Sequence, residues 1–422
     1  MLIVIKRDGR EDSFNQNKIA NAIRKAFVEV DGDTNEESEN IINRISTEIA
    51  NIKTDKMSVE EIQDIVETKL MKSTRKDVAK AYILYRNERT KVRDRNSKLV
   101  QKVMERVDSK INNRSNANVD EKSFSGREKE ASADIGKMIA LDFDGLSHDV
   151  ANAHKSMLVY QHDLEKAIYG IHNCLNLNFQ EIFTYGFRTR NGDVRPPTSF
   201  STACQLVAVA FQCQSQVQFG GVGSIHLDYD LAPFVKMSFR KHMKNYFTDV
   251  KDYNKQRAED ILKEHEPIEI DNKELCVSTE TMSAYNYAIK QLNKEGRQAA
   301  QGLYHNLNTL ESRQGSQVPF TSINLGRDTS TEGRLVTKWI MEASLDGIGK
   351  HHLTSIFPIS IFQYKSGTNA NISDKNYDMK QLALQSMSKR IYPNWCNCDW
   401  SQAHEEEGNI DTYFSTINKT VA

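Results

Sequence analysis

The sequence has 422 residues, with 56 lysines and arginines against 57 aspartates and glutamates, which gives a formal net charge of -1. A chain of this length can form two or three domains with large hydrophobic cores. Its balanced charge excludes a protein that binds nucleic acid directly, or a membrane surface, through bulk positive charge. Its longest apolar runs, such as residues 204–211, are too short to span a bilayer, so no membrane association is expected.

The amino terminus and the cysteines indicate the compartment. The first residues, MLIVIKRDGRED, lack the charged segment and the small-residue cleavage site of a secretory signal. We therefore expect a cytoplasmic protein whose cysteines are reduced thiols. Cys396 and Cys398 form a pair with too few ligands for zinc, so no metal site is predicted. The six cysteines are Cys174, Cys204, Cys213, Cys276, Cys396 and Cys398.

The first ninety residues predict a β-hairpin followed by four helices. A short run of strand-forming residues precedes Asp8-Gly9, a dipeptide typical of hairpin turns. Asn15 is a suitable cap for the first helix, and Ser58 with Glu61 forms a capping box for the third. Apolar side chains recur at helical spacing within residues 19–30, 42–49, 62–66 and 78–85.

Cations flank the predicted hairpin turn. Lys6 and Arg7 lie beside it, and Lys18 falls in the first turn of the helix that follows. These cations and the helix N-terminus are the features that a polyphosphate site requires. A solvated hairpin tip would produce the same pattern, so spacing alone leaves both interpretations open.

Two segments of this region resemble the ATP-cone, a regulatory nucleotide-binding module at the amino terminus of many ribonucleotide reductases. They are IVIKRDGREDSFNQNKIANAIRKAF at residues 3–27 and VAKAYILYRNER at residues 78–89. The resemblance implies an ATP-cone over residues 1–92 that binds ATP or dATP. By motif position, the residues that line its nucleotide site are Val4, Lys6, Arg7, Asn15 and Lys18.

The following segments predict a connection and a second domain. Residues 93–114 are charged and poor in glycine and proline, which favours a helical connection, whereas residues 112–125 have the composition of a linker. The segment NANVDEKSFSGREKEA, residues 116–131, resembles the start of the catalytic domain of anaerobic, class III ribonucleotide reductases. Residues 115–422 are therefore assigned to that domain. Further motifs similar to the family follow in order, among them AHKSMLVYQHDL, HNCLNLN, PPTSFSTACQ, QFGGVGSIHLDYDLAPFV, QVPFTSINLG and LALQSMSKRIYPNWCNCD.

The catalytic segment alternates short apolar strands with helices. Strands are predicted at residues 320–325 and 356–362, and helices at residues 281–292 and 335–343, which favours an α/β fold. The resemblance implies the ten-stranded α/β barrel shared by glycyl radical enzymes. The expected fold is therefore α/β: a β-hairpin plus four-helix ATP-cone followed by an incomplete ten-stranded barrel.

Cys174 is the most distinctive residue of this segment. Leu175 and Leu177 alternate with Cys174, Asn176 and Asn178, which predicts a strand with one apolar face and one face that carries a thiol among amides. An isolated cysteine is also a common small core residue, and the local pattern leaves that interpretation open.

The resemblance implies anaerobic reduction of ribonucleoside triphosphates to 2′-deoxyribonucleoside triphosphates by glycyl and thiyl radicals, with formate as reductant. Cys174 matches the cysteine that assists loss of the 2′-hydroxyl group and donates hydrogen. His162 and Asp163 match a His-Asp pair near the substrate. Further candidate pocket residues are Ser199, Ser201 and Asn324. Each of these side chains would be equally well explained as a turn cap or a strand hydrogen-bonder.

A second nucleotide site is implied at a homodimer interface. The family binds deoxynucleotide specificity effectors between helices that correspond to residues 203–216 and 231–245. Lys241 is a candidate phosphate contact there, although a solvated surface lysine is an open alternative. The resemblance also implies a radical S-adenosylmethionine activase as partner.

The similarity to the family ends at Thr416. The family would continue with Met-Gly-Cys-Arg, which carries the thiyl cysteine, but this sequence continues with INKTVA from Ile417. The glycyl radical and zinc sites are therefore expected in a separate or interrupted C-terminal part, and this chain is expected to be inactive without it. The alternative function is a non-catalytic nucleotide-sensing fragment, or a subunit of a split reductase.

Overall fold

The structure is a computed structural model that describes residues 3–6, 10–107, 123–143, 145–170, 174–264 and 268–403. The chain divides into two compact units, Met1–Met104 and Glu105–Ala422. Within the described ranges, no helix combines the length and the apolar character needed to cross a lipid bilayer.

The first unit is a small sheet followed and flanked by helices. Its strands have the order β2-β1-β3, with β2 antiparallel and β3 parallel to β1. Its elements are β1 (Ile3–Ile5), β2 (Glu11–Ser13), α1 (Gln16–Asp31), α2 (Glu36–Ala50), β3 (Lys56–Ser58), α3 (Val59–Lys72) and α4 (Lys76–Val107). The predicted hairpin and four helices are confirmed; strand β3, only three residues long, gives no periodicity and was not predicted.

Local capping explains where these helices begin. The Asn15 side chain accepts a hydrogen bond from the Asn17 N–H at 3.0 Å, so α1 begins at the predicted cap. The Ser58 hydroxyl accepts from the Glu61 N–H at 3.2 Å, and the Glu61 carboxylate accepts from the Ser58 N–H at 2.7 Å. This is the capping box predicted for α3. The apolar faces of the helices then form one core that includes Ile23, Phe27, Ile42, Ile49 and Leu70.

The second unit alternates strands and helices. The segment around the predicted helical connection is helical up to Val107, where α4 ends; residues 108–122 lie outside the described residues. Ser123 caps the next helix, so positions 124 and 125 are helical even though their composition is that of a linker. The elements are α5 (Phe124–Asp142), α6 (His148–Lys155), α7 (Leu164–Ala167), β4 (Leu175–Asn176), α8 (Phe179–Tyr185), β5 (Phe187–Thr189), β6 (Gly192–Val194), α9 (Phe200–Ser215), β7 (Val222–Ser224), α10 (Leu227–Asn245), α11 (Lys255–Glu264), α12 (Thr279–Thr309), β8 (Thr321–Leu325), α13 (Thr331–Asp346), β9 (Ile359–Tyr364), α14 (Tyr377–Arg390), β10 (Asn394–Asn397) and α15 (Cys398–Ala403).

A five-stranded sheet of order β10-β9-β8-β7-β4 organises this unit. All its neighbouring strands are parallel, which requires the helical crossovers that the sequence provides. One face carries Val222, Ile323, Leu325 and Phe362, which belong to the main core together with residues of α9, α10, α12 and α13. The predicted α/β class is therefore confirmed, and the structure adds that the described sheet is parallel. The predicted ten strands and the closure of the barrel are not tested, because the main sheet of the described residues has five strands.

Strand β4 is shorter than predicted. Leu175 and Leu177 both pack against the main core, as their alternation predicts. The strand nevertheless ends at Asn176, because the Asn178 side chain accepts a hydrogen bond from the Glu181 N–H at 3.3 Å and caps α8. Asparagine favours a cap over a strand interior, so the last position of the predicted strand, Asn178, becomes a helix start.

Candidate functional site

A cavity of about 210 Å³ lies in the first unit, between the strands and helices α1, α3 and α4. Four of the five predicted ATP-cone residues line it, namely Val4, Lys6, Asn15 and Lys18. Arg7, the fifth, lies outside the described residues. The full lining is Val4, Lys6, Ser13, Phe14, Asn15, Lys18, Ile19, Ala22, Val59, Ile62, Gln63, Val66 and Tyr82.

At the cationic end of this cavity, the carboxylate of Asp12 forms ion pairs with both lysines. The Asp12 Oδ2 atom lies 3.0 Å from Lys6 Nζ and 3.5 Å from Lys18 Nζ. The hydrogen bond from Lys6 is the main reason that the pKa of Asp12 is lowered, with a smaller contribution from Lys18. Lys6 directly follows β1, and Lys18 lies in the first turn of α1, whose N-terminus carries partial positive charge. An incoming phosphate can therefore replace Asp12 as the partner of both ammonium groups.

The other end of the cavity is apolar. Phe14, Ile19, Ile62 and Val66 line it beside the ring of Tyr82. Burial raises the pKa of Tyr82 to about 12, so its hydroxyl stays neutral and the wall carries no charge. The contributions of α3 and of Tyr82 were missed from the sequence, since helical spacing shows only that these residues are buried.

Cys174 lies immediately before β4 and is half-buried. Its Sγ atom accepts a hydrogen bond from the Gly221 N–H at 3.3 Å. The Gln218 amide holds this turn by donating to the Gly220 and Gly221 carbonyls at 3.2 and 2.8 Å. The thiol is therefore positioned by backbone contacts and remains partly accessible, unlike a cysteine sealed within a core.

The sheet register places predicted residues on the face opposite the main core, which also carries Ile359 and Ile361 and is called the polar face below. Asn176 pairs with Gly223, and Gly223 pairs with Ser322, so these positions share one face. Asn324 lies two residues beyond Ser322 and therefore points to the same face. Its side chain is fully buried, and neither its Nδ2 nor its Oδ1 atom has a hydrogen-bond partner among the described residues. An unpaired buried amide is costly, which is typical of a site that a ligand completes.

His162 and Asp163 are adjacent in space as well as in sequence. His162 Nδ1 lies 2.9 Å from Asp163 Oδ2, and the histidine ring is largely exposed. Asp163 has a φ of 52°, in the left-handed region, so its position is set by the turn before α7. Burial lowers the pKa of the Arg313 guanidinium to about 10, and Asp163 and Cys174 partly oppose this effect. Arg313 therefore interacts electrostatically with both predicted residues, a relation that the sequence did not indicate.

A second cavity, of about 550 Å³, lies between α9, α10 and α12 and contains Lys241. Ser201, predicted as a substrate-pocket residue, lines this cavity, whereas Cys174 does not. Ser199 is the cap of α9 and accepts a hydrogen bond from the Thr202 N–H at 3.4 Å. The lining is Ser201, Gln205, Lys241, His242, Gln291, Lys294, Glu295, Gln298, Ala299, Gly302, Leu303 and Asn306.

Glu295 connects the three helices around this second cavity. Its carboxylate accepts hydrogen bonds from His242 Nε2 at 2.7 Å, the Ser201 N–H at 3.0 Å and the Ser238 hydroxyl at 2.9 Å. Burial alone would raise the pKa of the Glu295 carboxyl, but these donors outweigh it and hold the pKa at about 2. The carboxylate is thus a structural anchor that keeps Ser201 and His242 in place.

Acidification is expected to weaken the second unit through Glu295. The folded pKa of about 2 is below the ordinary value of 4.5, so the stabilisation is complete above pH 4.5 and is lost as the pH falls towards 2. We expect a loss of about 2 kcal/mol in the free energy of unfolding over this range. Glu295→Gln cannot titrate and should remove this part of the pH dependence. Tryptophan fluorescence measures the unfolding of the second unit at each pH, because all three tryptophans lie in that unit. Identical pH profiles of the unmodified chain and Glu295→Gln would contradict the prediction.

Metal ligands are not grouped in the part of the chain that the structure describes: no cluster of three or more His, Cys, Asp or Glu side chains could hold an ion there. Cys396 and Cys398 are buried near the end of β10. A hydrogen bond with Cys396 and burial raise the pKa of the Cys398 thiol, so the Cys398 sulfur stays protonated.

Comparison with known proteins gives the family. Residues 115–413 match the family model of the anaerobic ribonucleoside-triphosphate reductase, and residues 2–91 match the ATP cone domain. The chain is 32% identical over 401 residues to the anaerobic ribonucleoside-triphosphate reductase of Haemophilus influenzae. The aligned region covers 94% of this chain and 52% of the relative. It is 31% identical over 401 residues to the enzyme of the same name from Escherichia coli, covering 94% of this chain and 51% of that relative.

The chain therefore spans about half the length of the curated relatives it matches. Among solved structures, it is similar to the anaerobic ribonucleotide reductase from Thermotoga maritima in complex with dATP and CTP, with a TM-score of 0.42 and 15% identity over 74% of this chain and 49% of that chain. Since the first family model covers more than half of the sequence, the chain belongs to the anaerobic ribonucleoside-triphosphate reductase family.

Proposed function

We propose that this chain supplies the nucleotide-binding and thiol-bearing part of an enzyme that reduces ribonucleoside triphosphates to 2′-deoxyribonucleoside triphosphates. The observation that carries the proposal is the placement of Cys174. Its thiol is held by the Gly221 N–H at the polar face of a parallel sheet, near Asp163 and Arg313. A half-buried thiol beside amides suits hydrogen transfer, because that step moves no net charge and requires a site from which bulk water is excluded.

In this proposal Cys174 assists departure of the 2′-hydroxyl group as water and donates hydrogen to the ribose. Formate is the electron donor, and the glycyl radical that starts the reaction and the zinc site belong to the remainder of the enzyme. His162 and Asp163 orient the ribose, with Asn324 as a further amide on the polar face and Ser199 as an α9 cap that holds the wall of the site. A radical S-adenosylmethionine activase generates the radical, and the enzyme works in the cytoplasm.

The cavity of the first unit is proposed to bind ATP or dATP as an allosteric effector. Its apolar wall accommodates the base, and Lys6 and Lys18, with Arg7, bind the phosphates in place of Asp12. Val4 lines the base end, and Asn15 maintains the start of α1 beside the phosphates. The match of residues 2–91 to the ATP cone domain supports this assignment.

Lys18→Met is expected to weaken binding of ATP to the chain about 10-fold, because a hydrogen bond to a charged group contributes about 1.5–3 kcal/mol. Calorimetric titration with ATP measures the change. Lys25→Met is the matched control, since Lys25 is exposed on the same helix and lies outside the cavity. Lys241→Met, in the second unit, should likewise leave this affinity unchanged. Equal affinities of Lys18→Met and the unmodified chain would exclude the assigned site.

The cavity around Lys241 is proposed to bind deoxynucleotide specificity effectors at a homodimer interface. Lys241 and Lys294 supply charge for phosphates, and the glutamine side chains supply donors and acceptors for a base. Because Ser201 lines this cavity, its role is assigned here to the anchoring of α9 by Glu295.

The complete catalytic domain is proposed to be the ten-stranded α/β barrel of glycyl radical enzymes. Strands β4 and β10 lie at the two edges of the described sheet and have backbone groups available for further strands. The alternative, a nucleotide-sensing fragment or a subunit of a split reductase, shares the effector sites and differs only in catalysis. The activity of Cys174→Ser separates the two.

A further inference from the structure

A third cavity, of about 370 Å³, lies in the second unit and is lined by three cations and no carboxylate. The cations are Lys129 on α5, Lys166 on α7 and Arg313, and their residues are only 8%, 8% and 6% exposed. The remaining lining residues are Ser132, Tyr169, Ser215, Gln216, Val217, Gln218, Phe219, Gln314 and Gln317. Three converging buried cations repel one another, so this arrangement needs an explanation.

The contacts within the described residues compensate only part of this charge. Lys129 Nζ lies 3.6 Å from the nearest Glu130 oxygen, and Lys166 Nζ donates to the Gln314 side chain at 3.3 Å. The Arg313 guanidinium lies over Phe219 at 4.9 Å and Phe320 at 4.3 Å.

Two buried atoms at the cavity have no hydrogen-bond partner among the described residues. They are Arg313 Nη1, a charged donor, and Gln317 Oε1. Leaving a buried charged donor unpaired costs more than leaving a neutral one, so Arg313 is the strongest indication of an anion site. Burial, Lys129 and Arg313 also lower the pKa of Lys166, which a bound anion would reverse.

The cavity is connected to Cys174 through one side chain. Gln218 lines the cavity and donates to the Gly220 and Gly221 carbonyls, while the Gly221 N–H donates to Cys174 Sγ. A water molecule occupies about 30 Å³ in the liquid. The volume of this cavity is many times larger, so the cavity accommodates a ligand much larger than a one-carbon carboxylate.

We propose that Lys129, Lys166 and Arg313 bind the polyphosphate of a ribonucleoside triphosphate whose ribose lies against Cys174. This inference rests on the proposed reductase function and adds the residues that select a triphosphate. Arg313 supplies the planar, multidentate donor that suits phosphate oxygens, and the two lysines add charge.

The test uses the full chain with Lys18→Met and Lys241→Met, which weaken the other two proposed phosphate sites. This protein is titrated with inorganic tripolyphosphate and with CTP, and cytidine is the phosphate-free control. We expect tripolyphosphate and CTP to bind and cytidine to bind at least 10-fold more weakly. Addition of Arg313→Met should weaken both phosphate ligands at least 10-fold, whereas Arg297→Met, which removes an arginine outside this cavity, should not. Two results overturn the proposal. One is an affinity for tripolyphosphate and CTP that Arg313→Met leaves unchanged, and the other is no binding of tripolyphosphate to the chain that carries only Lys18→Met and Lys241→Met.

The unliganded Arg313→Met chain distinguishes a ligand site from a structural ion pair. If Arg313 serves a ligand, its loss should leave the unfolding midpoint unchanged or higher, because a poorly paired buried charge is removed. A lower midpoint together with unchanged tripolyphosphate binding would assign Arg313 a structural role. If Arg313→Met fails to fold, Lys166→Met is measured in the same way.

Alkylation of Cys174 by iodoacetamide, followed by peptide mass spectrometry, tests where the ribose lies. CTP should slow the modification at least fivefold, whereas tripolyphosphate, which has no ribose, should not. Absence of protection by CTP, with tripolyphosphate bound in an Arg313-dependent manner, overturns the assignment to substrate. Failure of the reductase proposal itself is detected separately, by the activity of the Cys174 variant.

Discussion

Cys174→Ser is expected to abolish reduction of ribonucleoside triphosphates, with a loss of about 10³-fold or more, when the chain is assayed together with the part that corresponds to the second half of its relatives. Serine is nearly isosteric and its oxygen can still accept from the Gly221 N–H, as the sulfur does at 3.3 Å. Its O–H bond is much stronger than an S–H bond and does not donate a hydrogen atom readily. The substitution therefore removes the chemistry while keeping the local structure.

The controls for this experiment are in the same unit. Cys213→Ser changes an exposed cysteine on α9 and should leave turnover within twofold of the unmodified enzyme. ATP binding by Cys174→Ser should also be unchanged, since the ATP site is assigned to the first unit. Measurement of CTP reduction under anaerobic conditions decides the outcome. Full activity of Cys174→Ser would refute the assigned role and favour the nucleotide-sensing alternative.

Gly296→Ala is expected to destabilise the second unit by about 2 kcal/mol and Gly296→Val by more than that. A Cβ atom at Gly296 would lie 2.3 Å from Trp339 Cδ2, and Trp339 is fully buried between α12 and α13. Trp339 cannot move aside easily, because its ring also packs on Phe200 at 5.1 Å. Alanine is favoured over glycine in a helix by about 1 kcal/mol, and this gain is smaller than the cost of the clash.

Gly302 provides the matched control on the same helix. A Cβ atom added there meets nothing within 4 Å. Gly302→Ala should therefore stabilise the unit by up to about 1 kcal/mol, the opposite sign to Gly296→Ala. Denaturant unfolding followed by tryptophan fluorescence measures both, since it reports only on the unit that contains the tryptophans. Destabilisation of similar size at both positions would show that the clash with Trp339 is not the cause.

Local patterns in the sequence were sufficient for the elements whose determinants lie close together along the chain. The cap at Asn15 and the capping box of Ser58 and Glu61 involve residues two or three positions apart, so they are visible without a fold. The apolar faces of α1 and α2 follow in the same way from helical spacing. Family motifs indicated five candidate nucleotide-site residues of the first unit, and four of them line one cavity.

The tertiary structure decided which distant side chains meet. Strand β3 is identified by its pairing with β1, and Ser201 joins the cavity of Lys241 because Glu295 on α12 accepts its N–H. Arg313 has no motif of its own, and its relation to Asp163 and Cys174 appears only when α7, β4 and the segment before β8 are packed together. The sequence by itself therefore determined local helices, the α/β alternation and the family. The composition of each cavity depended on long-range packing, because contacts between residues far apart in sequence follow from the path of the whole chain.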